Sequence, residues 1–272
     1  MIAAEPGSDD AVPGARTFRA SGPAYDAFMG RYSRALAVGF ADAAGVGAGT
    51  SALDVGCGTG ALTGVLVERL GGAAVAACDP SPSFVEECSA RYPDVNVRPG
   101  RAEAIPFDEN AFDTVLAQLV LPFASDPTQA AREMRRVVRP GGMVAACMWD
   151  SEGNMQMLRH FWDAALIVDP DAPDEAQTLR FGRPGEIAEL FDSVGVDDLS
   201  ESTLTVTSTY TDFDELWSGF LAGIGPAGAY LLTLPENTRA EVRSIMSRRL
   251  GSPAGPLTLE AMARYAVGRA PG

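Results

Sequence analysis

From residue 51 the chain alternates short apolar runs with amphipathic stretches, the rhythm of strands followed by helices. Residues 51–55 predict a first strand. A helix follows over 61–70, with Leu62, Val65, Leu66 and Leu70 on one face and Gly71-Gly72 ending it. Strand 73–78, helix 83–91, short strand 95–98 and strand 112–117 come next. Asp126 and Pro127 read as the N-cap and first residue of another helix. Its Ala130, Met134, Val137 and Val138 keep helical spacing until Arg139-Pro140-Gly141-Gly142 stops it. The run 143–149 is almost wholly apolar, as a parallel strand covered on both faces would be. Five strands parted by helices predict an α/β fold built on a doubly wound parallel sheet.

Outside this core the rhythm changes. Residues 18–44 predict one or two helices broken at Gly22-Pro23, packed over the edge of the domain. Beyond Asp150, helices are expected at 154–167, 186–194 and 235–250, with strands at 204–210 and 257–267 forming a closing hairpin at the sheet edge. The total becomes about seven strands, mostly parallel with an antiparallel edge strand, plus helical lid segments. The expected organisation is a disordered tail over 1–17 and one domain over 18–272. Within it, 18–50 form an N-terminal lid, 51–150 a ligand-binding core, 151–256 substrate-side helices and the edge strand, and 257–272 the final strand.

Charge narrows the function classes. A net charge of −15 opposes binding to nucleic-acid phosphates or anionic lipid. All 21 basic residues are arginine, which excludes any mechanism that needs a lysine. Cys57, Cys78, Cys88 and Cys147 form no paired motif and have a single histidine, His160, to join them, so no metal site or disulfide framework is expected. No run of 18 apolar residues occurs and the N-terminus lacks a cationic start with an apolar stretch behind it. The expectation is a cytoplasmic protein with a small-molecule substrate and no nucleic-acid or membrane partner. The sequence does not specify an oligomeric state.

The chemistry concentrates in Leu53-Asp54-Val55-Gly56-Cys57-Gly58-Thr59-Gly60, at the end of the first strand and running into a helix. Missing Cβ atoms at Gly56, Gly58 and Gly60 let a ligand lie against the backbone of the turn. The spacing is G-x-G-x-G, whereas a dinucleotide turn favours G-x-G-x-x-G. About 20 residues on, Asp79 ends the second strand, where a carboxylate can accept from a ribose diol. Together they suggest an adenosine-containing ligand that need not carry a phosphate.

With L-D-V-G-C-G-T-G (53–60), C-D-P-S (78–81), R-A-E-A-I-P-F (101–107), F-D-T-V-L-A-Q (112–118) and R-R-V-V-R-P-G-G (135–142), the sequence resembles the class I S-adenosylmethionine-dependent methyltransferases. The likeness is to the branch of the ubiquinone and menaquinone biosynthesis enzymes. It implies a Rossmann-like fold with S-adenosylmethionine as cofactor and S-adenosylhomocysteine as product. It further implies that Gly56, Cys57, Gly58 and Gly60 form the cofactor turn, that Asp54 helps hold the ammonium end, and that Asp79 binds the ribose. Pro80, Ser81 and Phe84 would line the adenosine, and Ala102 and Glu103 would border the adenine. Gln118 would sit near the methionine end, with Tyr25 and Arg31 closing from above. Relatives often carry Asp where Arg101 stands; arginine only donates, so the adenine amino contact is lost or passes to Glu103.

Methyl transfer needs alignment and exclusion of water more than a dedicated base. Should a base act, His160 is the candidate. Trp149, Phe161, Trp217, Phe220 and Tyr230 are candidates for the acceptor wall. Two other readings stay open: a nicotinamide- or flavin-dependent oxidoreductase, and a protein that binds S-adenosylmethionine without methylating. The acceptor atom is not specified.

Overall fold

The computed structural model describes residues 26–272. The expected tail over 1–17, the first part of the lid and Tyr25 lie outside the described residues. A π-turn over Asp26–Gly30 leads into α1 (Arg31–Ala43), and β1 (Ala52–Val55), α2 (Ala61–Leu70), β2 (Val75–Asp79), α3 (Pro82–Arg91) and β3 (Asn96–Pro99) follow. After β4 (Phe112–Gln118) come α4 (Pro127–Val137) and β5 (Val138–Trp149). The remainder comprises α5 (Gln156–Val168), α6 (Glu175–Thr178), α7 (Glu186–Ser193), β6 (Asp197–Tyr210), α8 (Phe213–Leu221), α9 (Gly225–Thr233), α10 (Glu236–Arg249) and β7 (Leu257–Arg269).

The sheet has seven strands in the order β3-β2-β1-β4-β5-β7-β6. Strands β1 to β5 pair in parallel, while β7 is antiparallel to both β5 and the edge strand β6. The expected edge hairpin is therefore present, with β7 inside and three helices inserted between its strands. Every residue of β1 and β2 is buried, which explains why Asp54 and Asp79 alone interrupt their apolar sequences. Asp126 caps α4 through the Gln129 N–H, a contact worth about 1 kcal/mol.

Two boundaries differ from the sequence expectation. Residues 72–74 form a 3-10 turn, so β2 begins later; Gly72, Ala73 and Ala74 offer no branched side chain to hold an extended run. Arg139-Pro140-Gly141-Gly142 ends the helix but does not separate it from the next strand. Val138 already pairs with Phe112, and the register jumps to Thr114 with Met143, so the segment is an irregularity inside β5. Helices α6, α8 and α9 were not expected from the pattern.

The strand order reverses direction at β1 and β4, placing the carboxyl ends of β1, β2, β4 and β5 along one edge. That edge is where open α/β sheets bind ligands.

Candidate active site

The turn after β1 is fastened to β2 by backbone. Gly56 N–H and Cys57 N–H both donate to the Cys78 carbonyl, at 2.7 and 3.0 Å. Gly58 N–H then donates to Asp79 Oδ2 at 2.9 Å, and Ser81 N–H donates to Asp79 Oδ1 at 2.8 Å. The carboxylate is thus aimed by the turn it faces, and each oxygen keeps a further lone pair. Burial pushes the Asp79 carboxyl above its ordinary range, with the two backbone donors opposing.

Gly56 and Gly58 both have positive φ, +72° and +52°, for different reasons. A Cβ at Gly56 would stand 2.5 Å from Val120 Cγ2, so glycine there serves packing. A Cβ at Gly58 would meet nothing within 4 Å, so that face of the turn is open to a ligand. Gly60 caps α2, against Tyr92 and Cys88.

Asp54 is fully buried and accepts from Thr63 Oγ1 at 2.6 Å. Desolvation raises its carboxyl to about 7 despite that bond. At the end of β4, Gln118 Nε2 donates to the Ser33 carbonyl at 2.9 Å, tying the sheet to α1, while its buried Oε1 has no partner among the described residues. Leu119 follows with φ +63°, a strained conformation for a residue with a Cβ. Such strain collects at functional sites, and nothing in the sequence announces it.

Phe84 and Ala102 are buried, Ser81 is half-buried and Pro80 is exposed. Glu103 is committed on one side: its Oε1 accepts from Ser125 N–H at 2.6 Å and Ser125 Oγ at 2.7 Å. Arg101 reaches the same Ser125 hydroxyl at 2.9 Å. Only Glu103 Oε2 stays available for an adenine contact. Arg31 is held by Glu215 at 2.6 Å and lies 4.1 Å above the Tyr210 ring, which fastens α1 to β6 and α8. Asp26, overlooked in the sequence, accepts from Thr59 Oγ1 at 2.6 Å and from Arg91 at 3.0 Å. It pins the N-terminal segment to the glycine turn.

A largely apolar cavity of about 850 Å³, counting its open mouth, adjoins this edge. Met29, Leu119, Trp149, Leu158 and Trp162 line it, together with Glu175. Of the five aromatic residues expected there, only Trp149 does so. Phe161 and Phe220 stack on each other at 4.6 Å in the core, Trp217 is buried near Phe220, and Tyr230 donates to Asp169 at 2.9 Å. Their spacing is that of side chains packing among themselves.

His160 is likewise outside the lining. Met155, Leu158 and Trp162 turn the other face of the helical segment to the cavity, leaving His160 near Arg249, Asp163 and Arg159. Burial and then the Arg249 charge lower its pKa, and its buried Nδ1 has no partner among the described residues.

Residues 53–146 match a family model described as a methyltransferase domain. That segment, which contains the glycine turn, Asp79 and Gln118, is similar to methyltransferase domains. A Mycobacterium tuberculosis protein is 36% identical over 139 residues, 49% of this chain and 50% of that one. The chain thus spans about half the length of the first curated relatives it matches. A malonyl-[acyl-carrier protein] O-methyltransferase of Dechloromonas aromatica is 29% identical over 261 residues, 92% of each chain. Phosphoethanolamine N-methyltransferase 2 of Haemonchus contortus, solved with phosphomonomethylethanolamine and S-adenosylhomocysteine, shares the fold at a TM-score of 0.56 and 15% identity. The match covers 92% of this chain and 57% of that one.

The residues at this edge fit the chemistry of S-adenosylmethionine. The open face at Gly58, the carboxylates of Asp54 and Asp79 and the orphaned Gln118 Oε1 offer an uncrowded backbone and acceptors for an ammonium group and a diol. Among the described residues no helix is long and apolar enough to cross a membrane.

Proposed function

We propose that this protein transfers the methyl group of S-adenosylmethionine to a small molecule bound in the cavity at the carboxyl ends of β4 and β5. One observation carries the reading. Gln118, with its unpartnered acceptor, is followed directly by Leu119, which lines the apolar cavity, so an acceptor suited to the cofactor and a space for a second molecule would meet at the end of β4.

Asp79 would accept from the ribose hydroxyls. Asp54, Gln118 and the backbone of Gly56, Cys57 and Gly58 would hold the amino-acid end, and Phe84, Pro80, Ser81, Ala102 and Glu103 would border the nucleoside. The cofactor supplies an electrophilic methyl on a positive sulfur. The chain's own task is to hold the acceptor in line with that methyl and to keep water away, which the Met29, Leu119 and Trp149 walls support. Asp26 and Arg31 would keep the N-terminal segment closed over the site through Thr59 and Glu215. Four free cysteines fit a reducing, cytoplasmic setting.

The test is to incubate the protein with methyl-labelled S-adenosylmethionine and pooled small-molecule extracts. S-adenosylhomocysteine should accumulate in proportion to label in a small product. Tight binding of the cofactor with neither product would point to the non-methylating alternative.

A further inference from the structure

The cavity wall carries a carboxylate whose surroundings differ from those of every acid near it. Asp174 spends both oxygens within the protein: Oδ2 on Arg159 Nη1 at 2.8 Å and Oδ1 on Ala176 N–H at 3.0 Å. Asp150, elsewhere on the wall, is paired with Arg264 at 2.7 Å and accepts from Glu152 and Asn154. Arg159 is shared between Asp163 and Asp174. Glu175 has one bond only, to its Oε1 from Trp162 Nε1 at 3.1 Å. Its Oε2 has no partner among the described residues, and the residue, half-buried, lines the cavity.

We propose that Glu175 Oε2 anchors the methyl acceptor, and that the acceptor is a largely apolar molecule presenting one hydrogen-bond donor, a hydroxyl or an amine. The inference rests on reading this cavity as the acceptor site. Three considerations select the class. In its ionised form, which prevails above about pH 7, the carboxylate can only accept, so its complement there must donate. A second anion in an apolar pocket beside an unpaired carboxylate would be repelled, which disfavours carboxylate or phosphate at this spot. The rest of the lining, Trp149, Trp162, Leu158 and Met155 among it, suits an apolar body.

The charged groups around Glu175 are Asp174 and Arg159, with Arg180 elsewhere on the lining. Burial raises its carboxyl to about 7, with Trp162 opposing and Asp174 assisting. Binding through the ionised form therefore strengthens as pH rises through neutrality.

Naphthol, naphthylmethylamine, naphthalene and naphthoate serve as probes, titrated into the full chain saturated with S-adenosylhomocysteine. At least one donor-bearing probe should bind about tenfold or more tighter than naphthalene, the size expected for a hydrogen bond to a charged group, and naphthoate should bind worst. The stronger of the naphthol and the amine identifies which donor the site takes. The preference should grow between about pH 6 and pH 8. Glu175→Met should abolish it, and Glu175→Gln should keep part of it while losing the pH dependence. Equal binding of all four probes, or an unchanged preference in Glu175→Met with a native melting curve, overturns the proposal. S-adenosylhomocysteine affinity measured on the same samples separates the two readings. Donor preference without cofactor binding defeats methyl transfer and leaves the anchor standing, and the reverse defeats the anchor alone.

Discussion

The Gly58 amide and the Asp79 carboxylate are bonded at 2.9 Å across the carboxyl ends of neighbouring strands, so the loop that would receive the cofactor and the acid that would hold its ribose are positioned by one contact. Replacing Asp79 with Ala removes an acceptor of two backbone bonds and of the ligand. Affinity for S-adenosylhomocysteine should fall by roughly 10- to 100-fold, while Asn, which retains one acceptor oxygen, should lose less. Isothermal titration of both variants measures the difference; equal affinity for Ala and the parent would remove Asp79 from the site.

Gly56 and Gly58 should fail in different ways. Gly56→Ala meets Val120 and should destabilise the protein by about 1–3 kcal/mol, seen as a lower Tm. Gly58→Ala meets no protein atom, so its stability cost is the left-handed conformation alone, about 1–2 kcal/mol. Its main effect should be a loss of cofactor affinity out of proportion to the change in Tm. A Gly58→Ala protein that binds as well as the parent would show that the open face is not used.

Stability of the ligand-free protein should depend on pH through Asp54 and Glu175. Burial raises these carboxyls from 3.8 and 4.5 to about 7, so the folded state binds protons that the unfolded state releases. The unfolded form holds fewer protons in that window, and stability falls as pH rises from about 4 to about 7. His160, lowered in the fold, works in the opposite direction below its ordinary value. Comparing the parent with Asp54→Asn isolates the effect: its Tm should decline less between pH 5 and pH 8, by roughly 2–4 °C. Identical slopes would contradict the assignment.

Because His160 lies on the helix face turned from the cavity, His160→Ala should leave turnover within about twofold of the parent once an acceptor is known. A larger loss in kcat with an unchanged melting curve would return it to the chemistry.

Residues 51–149 were legible because two periods and strong turn residues govern them: fully buried strands read as apolar runs, and the glycine turn with Asp79 has a mechanism behind its spacing. The acceptor side was much less so. Its wall comes from Ser151, Gly182, Ile224 and the short helix α6, whose places are decided by tertiary packing. Helix α9, with Gly225, Pro226 and Gly228, carries little local helical preference of its own. Aromatic residues were a poor guide, since Phe161 and Phe220 satisfy one another. Glu175 gave a surface-like signal, one acid among several, and only its missing partner distinguishes it.

Strand β7 joins β5 to β6 yet is synthesised after both. Until it emerges from the ribosome, two rows of unpaired backbone groups stay bare, each a template for association with another chain. A nascent chain stopped at residue 256 would retain the whole glycine turn and still be poised to aggregate.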